Sequence, residues 1–159
     1  GAFKNFGGVS RRMEHKGEIN INEKKVKLID DYGHHPTEIK ATIDAVKATN
    51  PDKKVSMIFQ PHRFSRSIFL FDEFIECLSE LDNVIILDIY SAGEQNPKNI
   101  NAYSFVNALV DNGKNAFFAK NLKEICRHLD SFMQNEEILI TQGAGNIVDI
   151  SNSILAIYK

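Results

Sequence analysis

Apolar and polar positions along the chain follow two alternating periods, and each period predicts one kind of element. Residues 25–29 alternate in period two and predict a strand, paired with 18–22 across a polar turn near 22–24. Pro36 then opens a helix in which Ile39, Ile43 and Val46 form one stripe, with Thr42 on the same face. It ends near Asn50-Pro51, because proline disfavours a helical residue before it. Residues 54–59 predict a strand, and 66–80 a helix with Phe71, Phe74, Ile75 and Leu78 on one side. The largely apolar run 84–88 predicts a strand buried on both faces. After a polar loop at 95–99 come a helix at 102–110 and a strand at 115–119. Asn121 and Glu124 have the spacing of a capping box and start a helix carrying Leu122, Ile125, Cys126 and Leu129. A strand at 137–141 and a helix at 146–158 close the pattern.

Strand and helix therefore alternate, which predicts an α/β domain: a mostly parallel sheet with helices on both faces. A length of 159 residues fits one domain of this kind. The first 15 residues are polar, glycine-containing and aperiodic, and read as a lead-in or hinge before a domain at 16–159. The chain starts at Gly1 rather than methionine, so it is expected to be a piece of a longer protein.

Composition narrows the class. Nineteen basic residues against 21 acidic give a net charge of −2, which supplies no bulk attraction to nucleic acid or an anionic membrane. No apolar run approaches the roughly 20 residues of a membrane span, and the N-terminus lacks the apolar centre of a signal peptide. Cys77 and Cys126 are too few and too far apart for a disulfide framework or a zinc site. Both are expected as buried free thiols, in keeping with a reducing cytoplasm.

In an open parallel sheet, ligands bind beyond the carboxyl ends of the strands, and that is where the chemistry-bearing residues fall. The first such stretch is Asp30-Asp31-Tyr32-Gly33-His34-His35-Pro36-Thr37-Glu38. A helix N-terminus accounts for Pro36 and Thr37 but not for Tyr32, His34 and His35. A metal site is the third reading, although no HxH or HxxxH spacing accompanies the adjacent histidines. The second stretch is Gln60-Pro61-His62-Arg63-Phe64-Ser65-Arg66. Arg63 and Arg66, three apart at a helix start, have a spacing that brings two guanidinium forks to one carboxylate or phosphate. The alternative is a solvated basic turn. Asp88-Ile89-Tyr90-Ser91-Ala92-Gly93-Glu94 adds carboxylates that suit a substrate amine or an arginine, or an ordinary loop. Thr141-Gln142-Gly143-Ala144-Gly145-Asn146 is either a tight strand-to-helix turn or a backbone approach to phosphate.

Other chemistries lack their residues. The only Gly-Lys pair, Gly113-Lys114, is followed by Asn115 and has Ala108 where a P-loop needs glycine. There is no G-x-S-x-G elbow and no G-x-G-x-x-G fingerprint, so nucleophilic catalysis has no support.

Taken in order and spacing, these four stretches resemble the C-terminal domain of the Mur ligase family, the ATP-dependent carboxylate–amine ligases of bacterial peptidoglycan synthesis. The stretch Phe6-Gly7-Gly8-Val9-Ser10-Arg11-Arg12-Met13-Glu14 resembles the family's entry into that domain. Tyr32-Gly33 and Gln60–Arg63 resemble the branch that joins L-alanine to UDP-N-acetylmuramate. The branch that recycles a murein tripeptide typically has Phe-Ala and a Glu-Pro-Arg type of stretch there. The resemblance implies a Rossmann-like domain following an N-terminal UDP-binding domain and a central ATPase domain, with ATP and Mg²⁺ held mostly by the latter. It implies Arg12 and His34 as catalytic residues, and Tyr32, His34, Arg63 and Arg66 around L-alanine. Arg12 and Asp31 would meet ATP, with His35, His62, Glu94 and Asn146 in supporting places and no metal ligand. The implied setting is the bacterial cytoplasm. A non-enzymatic nucleotide- or anion-binding module of flavodoxin-like shape is the reading from another class.

Overall fold

The computed structural model describes residues 12–96 and 98–159. Phe6 to Arg11 of the entry motif, and Pro97 in the polar loop, lie outside the described residues.

The chain opens with a hairpin of β1 (Glu14–Ile21) and β2 (Lys24–Asp31), paired antiparallel. Asn22 and Glu23 between them have φ of 52° and 68°, the left-handed pair of a two-residue turn whose twist suits its flanking strands. β1 starts earlier than its period predicts. A bulge between His15 and Gly17 absorbs one residue and carries the pairing back to Glu14 opposite Asp30.

The alternation follows: α1 (Pro36–Thr49), β3 (Val55–Phe59), α2 (Phe64–Phe69), α3 (Phe71–Leu78), β4 (Asn83–Ile86), α4 (Ala102–Asp111), β5 (Asn115–Phe118), α5 (Leu122–Phe132), β6 (Glu137–Gln142) and α6 (Ile147–Ile157). The strands form one six-stranded sheet in the order β1-β2-β6-β3-β4-β5, parallel from β2 to β5. The chain steps outward through β3, β4 and β5 and then returns, so that β6 slots between β2 and β3. Asp31, Gln142 and Phe59 consequently share the last rung of the central strands.

Successive residues of the central strands point to opposite faces, and both faces are covered. Met57, Phe59, Val84, Ile86 and Ile140 pack with α1, α3 and α4, where Phe59, Phe74 and Phe105 meet at ring separations of 5.7–6.3 Å. Ile58, Ile85, Leu28 and Leu139 pack with Ile125 and Leu129 of α5 and Ile147 and Ile154 of α6. The predicted layering of an α/β domain is therefore present.

Three local expectations change. The helix predicted at 66–80 is two helices broken at Leu70 (φ −111°, ψ 22°). The apolar stripe belongs to α3 alone. α2 buries only Ser67, while its Phe69 is 84% exposed. Cys126 is half-buried, since the side of α5 facing the core is carried by Ile125 and Leu129. Asn121 caps α5 by accepting from the Glu124 N–H, but the Glu124 carboxylate reaches back to the Lys120 N–H, one residue beyond the Asn121 N–H of a reciprocal box.

At the amino end of the sheet, the buried Glu137 carboxylate accepts from the Ser56 hydroxyl and from the Gln134 N–H at 2.9 Å. Ser56 Oγ in turn accepts from Asn83 Nδ2 at 3.1 Å. Burial raises the Glu137 carboxyl above its ordinary 4.5 despite these donors. The contribution of this group to stability is fully present below pH 4.5 and is lost as pH rises through the raised value. Ser56→Ala should cost about 1–3 kcal/mol at neutral pH, because it leaves the buried carboxylate with the Gln134 N–H alone and strands the buried Asn83 amide. Urea unfolding checks this, and an unchanged midpoint would show the cluster to be idle.

Candidate functional site

The carboxyl ends of β2, β6, β3 and β4 lie side by side, and each contributes to one crevice. At its floor sits Asp31, wholly buried. Its Oδ2 accepts from the Gly33 N–H at 2.9 Å, the Thr42 hydroxyl at 3.1 Å and Gln142 Nε2 at 2.7 Å. Its Oδ1 accepts from the Met13 N–H at 2.8 Å and lies 3.4 Å from Arg12 Nε. A Cβ at position 33 would come 2.8 Å from Asp31 Oδ2, so glycine is what lets the backbone wrap this carboxylate.

Beside it, Glu38 Oε1 accepts from the His34 and His35 N–H groups, both at 3.0 Å. His35 Nδ1 accepts from the Thr37 N–H at 3.1 Å, so His35 is the N-cap of α1 in a capping box. Burial pushes the Glu38 carboxyl upward, but the two N–H groups, His34 and Arg12 together hold it below its ordinary value. Arg12 Nη1 is 3.7 Å from Glu38 Oε2, so this arginine rests on two carboxylates.

A row of rings crosses the crevice. Tyr32 meets His34 edge-on at 5.6 Å, His34 is 5.5 Å from His62, and His62 stacks on Tyr90 at 5.4 Å and 14°. The last pair is held by backbone. The Tyr90 N–H donates to Pro61 O at 2.8 Å, and the Arg63 N–H donates to Tyr90 O at 2.7 Å. Arg66 Nη1 lies 3.3 Å from His62 Nδ1. Burial, with help from His34, Arg66 and Arg63 and against Glu94, lowers the His62 pKa below 6.5.

Arg63 takes a different direction. It is the N-cap of α2 with φ of 74°, outside the helix, so the helical spacing that would bring it level with Arg66 does not apply. Its Nη1 points toward Glu94 Oε2 at 4.0 Å. The two arginines thus make different contacts, Arg63 with Glu94 and Arg66 with His62, while both line one shallow pocket with Ser65, Phe69 and Leu70. Glu94 accepts from the Ser65 hydroxyl at 2.6 Å and the Ser65 N–H at 3.0 Å, and these bonds lower its pKa. It pins the start of α2.

Asn146 Oδ1 accepts from Gln60 Nε2 at 2.8 Å, joining β3 to the N-terminus of α6. Among the described residues, the buried oxygens Gln60 Oε1 and Gln142 Oε1 have no hydrogen-bond partner. A Cβ on Gly145 would lie 2.6 Å from Gln60 Oε1 and 3.0 Å from the Tyr90 ring, so this turn closes tightly on the site.

Residues 11–145 match the family described as Mur ligase, glutamate ligase domain. The chain belongs to this family of Mur ligase domains. It is 46% identical over 147 residues to the UDP-N-acetylmuramate–L-alanine ligase of Ruthia magnifica subsp. Calyptogena magnifica, covering 92% of this chain and 31% of that protein. It is 43% identical to the enzyme of that name from Vesicomyosocius okutanii, with the same coverage. The chain therefore spans 31% of the length of these curated relatives. In fold it resembles the solved UDP-N-acetylmuramate-alanine ligase of Thermotoga maritima, with a TM-score of 0.70 at 24% identity over 92% of this chain and 29% of that one.

Within this Mur ligase domain, the sequence-predicted residues divide into groups. Tyr32, His34, His62 and Arg66 are brought together in the ring-lined crevice, with Arg63 and Glu94 at its flank. Arg12 lies on the Asp31–Glu38 side. His35 is used by the helix cap and Asn146 by Gln60. Asp31, expected to meet a nucleotide, has both oxygens engaged inside the fold. Sequence reasoning missed Tyr90 as a partner of His62, and Gln142 and Thr42 as partners of Asp31. Their signals were present only as a motif tyrosine, a motif glutamine and a threonine on an apolar stripe.

The crevice offers cations, imidazoles and backbone donors, a set suited to binding and orienting an anion. Cys77 is remote from it, and burial pushes its thiol up to about 12. Among the described residues, no group of three or more His, Cys, Asp or Glu side chains could hold a metal ion. Nor is any described helix long and apolar enough to cross a membrane.

Proposed function

We propose that this chain is the amino-acid-binding C-terminal domain of an ATP-dependent ligase that joins L-alanine to UDP-N-acetylmuramate. The observation that carries the reading is Arg66, seated against His62 in a ring-lined crevice at the strand ends, in a chain 46% identical to a ligase of that name. In the proposed parent protein, residues 1–15 lead in from a central ATPase domain and 16–159 form the binding domain. ATP and Mg²⁺ are held mostly by that other domain. ATP activates the muramoyl carboxylate as an acyl phosphate. The amine nitrogen of L-alanine forms the new bond to the acyl carbon, gives up a proton, and the carbon–oxygen bond to phosphate breaks.

An acyl phosphate already has a good leaving group, so positioning and charge stabilisation are what the protein supplies. Arg66 takes the carboxylate of L-alanine, with Arg63 at the rim. Tyr32 and His34 line the amine end, where His34 is placed to receive a proton. Arg12 leaves Asp31 and Glu38 to meet the phosphates of ATP. A ribose hydroxyl reaching Asp31 would have to replace Arg12 and Met13 at Oδ1. The setting is the cytoplasm of a bacterium building its cell wall.

The test is phosphate release by the full-length protein with ATP, Mg²⁺ and UDP-N-acetylmuramate. L-alanine should drive turnover. Turnover with a murein tripeptide and not with L-alanine would assign the chain to the recycling branch, and turnover with neither would leave the anion-binding module. The 159-residue chain alone should bind ATP and L-alanine only weakly in calorimetry, because closure of a second domain completes each site. Tight binding by the chain alone would contradict the shared-site reading.

A further inference from the structure

We propose that Tyr90 and His62 are positioning residues for Arg66: the Tyr90 ring fixes the His62 imidazole, whose lone-pair nitrogen aims the guanidinium at the substrate carboxylate, and protonation of His62 releases it. This rests on the reading of Arg66 as the carboxylate-binding group.

The first step is chemical. A guanidinium has only donors. The 3.3 Å contact between Arg66 Nη1 and His62 Nδ1 therefore requires the lone pair on Nδ1 and places the imidazole proton on Nε2. The second step is geometric. Pro61, Arg63 and Tyr90 exchange backbone hydrogen bonds beyond the ends of β3 and β4, which adds one rung to the sheet. That rung brings the His62 and Tyr90 rings face to face at 5.4 Å and 14°. On the Gly145 side there is no room for even a Cβ, which would lie 3.0 Å from the Tyr90 ring. The imidazole plane, and with it the direction of Nδ1, is thus set by the Tyr90 ring.

The third step is electrostatic. The charged and titratable groups facing His62 are His34 from the end of β2, Arg63 and Arg66 from α2 and its cap, and Glu94 and the stacked Tyr90 phenol from the loop after β4. Burial and the first three disfavour the imidazolium, and only Glu94 favours it, so neutral His62 is the form at neutral pH. Acidification converts Nδ1 from acceptor to donor, facing a guanidinium that can only donate. The contact then becomes repulsive, and Arg66 loses its support.

The experiment measures the KM for L-alanine of the full-length protein between about pH 5 and 8, where a single controlling proton gives about tenfold per pH unit below its pKa. The difference between wild-type and His62→Gln profiles cancels the ionisation of the substrate amine itself. A glutamine can accept from Arg66 without titrating, so His62→Gln should lack the added acid rise. Tyr90→Ala should raise the KM for L-alanine about tenfold at neutral pH, a cost of about 1.4 kcal/mol, with the KM for ATP within about twofold. Tyr90→Phe keeps the ring and should match the wild type. The proposal is overturned if His62→Gln retains the acid rise, if Tyr90→Phe loses as much as Tyr90→Ala, or if both KM values move together. A readout independent of turnover is the ¹⁵N spectrum of His62 in this chain. It should show the Nε2-protonated tautomer, with a pKa that rises toward 6.5 in Tyr90→Ala but not in Tyr90→Phe. An Nδ1-protonated ring, or equal titration in both variants, overturns the relay. The expected tautomer and titration in a protein without L-alanine turnover would overturn the ligase reading and leave the relay standing as an anion-binding device.

Discussion

Arg66→Ala in the proposed full-length ligase should raise the KM for L-alanine about 10- to 150-fold, the loss of one charge-assisted bond of about 1.5–3 kcal/mol. The KM for ATP should change by less than about threefold, because Arg66 lies on the His62 side of the crevice while Arg12 lies on the Asp31–Glu38 side. Arg66→Lys should fall between, keeping the charge but losing the planar fork that meets a carboxylate with two bonds. Arg63→Ala should have the smaller effect of the two arginines, since its guanidinium is half-exposed and turned to Glu94. Steady-state kinetics with each substrate varied in turn decides the matter. A parallel rise in both KM values would remove Arg66 from the carboxylate and make it a general support of the site.

The architecture was legible because its signals are local. The runs at β3, β4 and β6 are apolar on both faces, and only strands covered by helices on both sides bury such runs. The helix predicted at 66–80 failed for a matching reason. Periodicity reports a buried stripe, and α2 has none. It is held by Ser65 on Glu94 and by the Ser67 hydroxyl on Arg63 O at 2.9 Å, contacts that leave no apolar period. The site residues stood out by type, as imidazoles and guanidiniums at strand ends. Their partners did not. Gln142 meets Asp31 from far along the chain, because β6 returns to lie beside β2, and nothing in a local window reports that register. The place of Arg63 at the cap of α2, outside the helix, was hidden likewise. A spacing of three implies convergence only inside a helix, and the positive φ of Arg63 takes it out of one.

The largest structural effect is expected at Asp31. Its burial and its ring of donors make it the polar centre that ties the lead-in, the β2 end, α1 and β6 together. Asp31→Ala strands the Met13 and Gly33 N–H groups, leaves the Thr42 hydroxyl with Glu38 O alone and the Gln142 amide with Gly33 O alone, and leaves Arg12 resting on Glu38 alone. The cost should be about 3–5 kcal/mol, the range seen when one side of a buried charged network is removed. For a domain of this size that lowers the Tm by roughly 10 °C or more. The usual conservative change should not rescue it. Asp31→Asn places an NH₂ either toward the Met13 N–H and Arg12, or toward the Gly33 N–H and the Gln142 amide, where the one acceptor facing it is Thr42 Oγ1 turned to donate to Glu38 O. It should therefore fall within about 1 kcal/mol of alanine in thermal or urea unfolding of the chain. The comparison also separates the two tasks that this carboxylate could have. If Asp31→Asn keeps the wild-type Tm while the full-length enzyme loses affinity for ATP, the carboxylate serves a nucleotide and the internal network is dispensable. If stability falls first, Asp31 serves the fold, and any hold it has on the nucleotide runs through the position of Arg12.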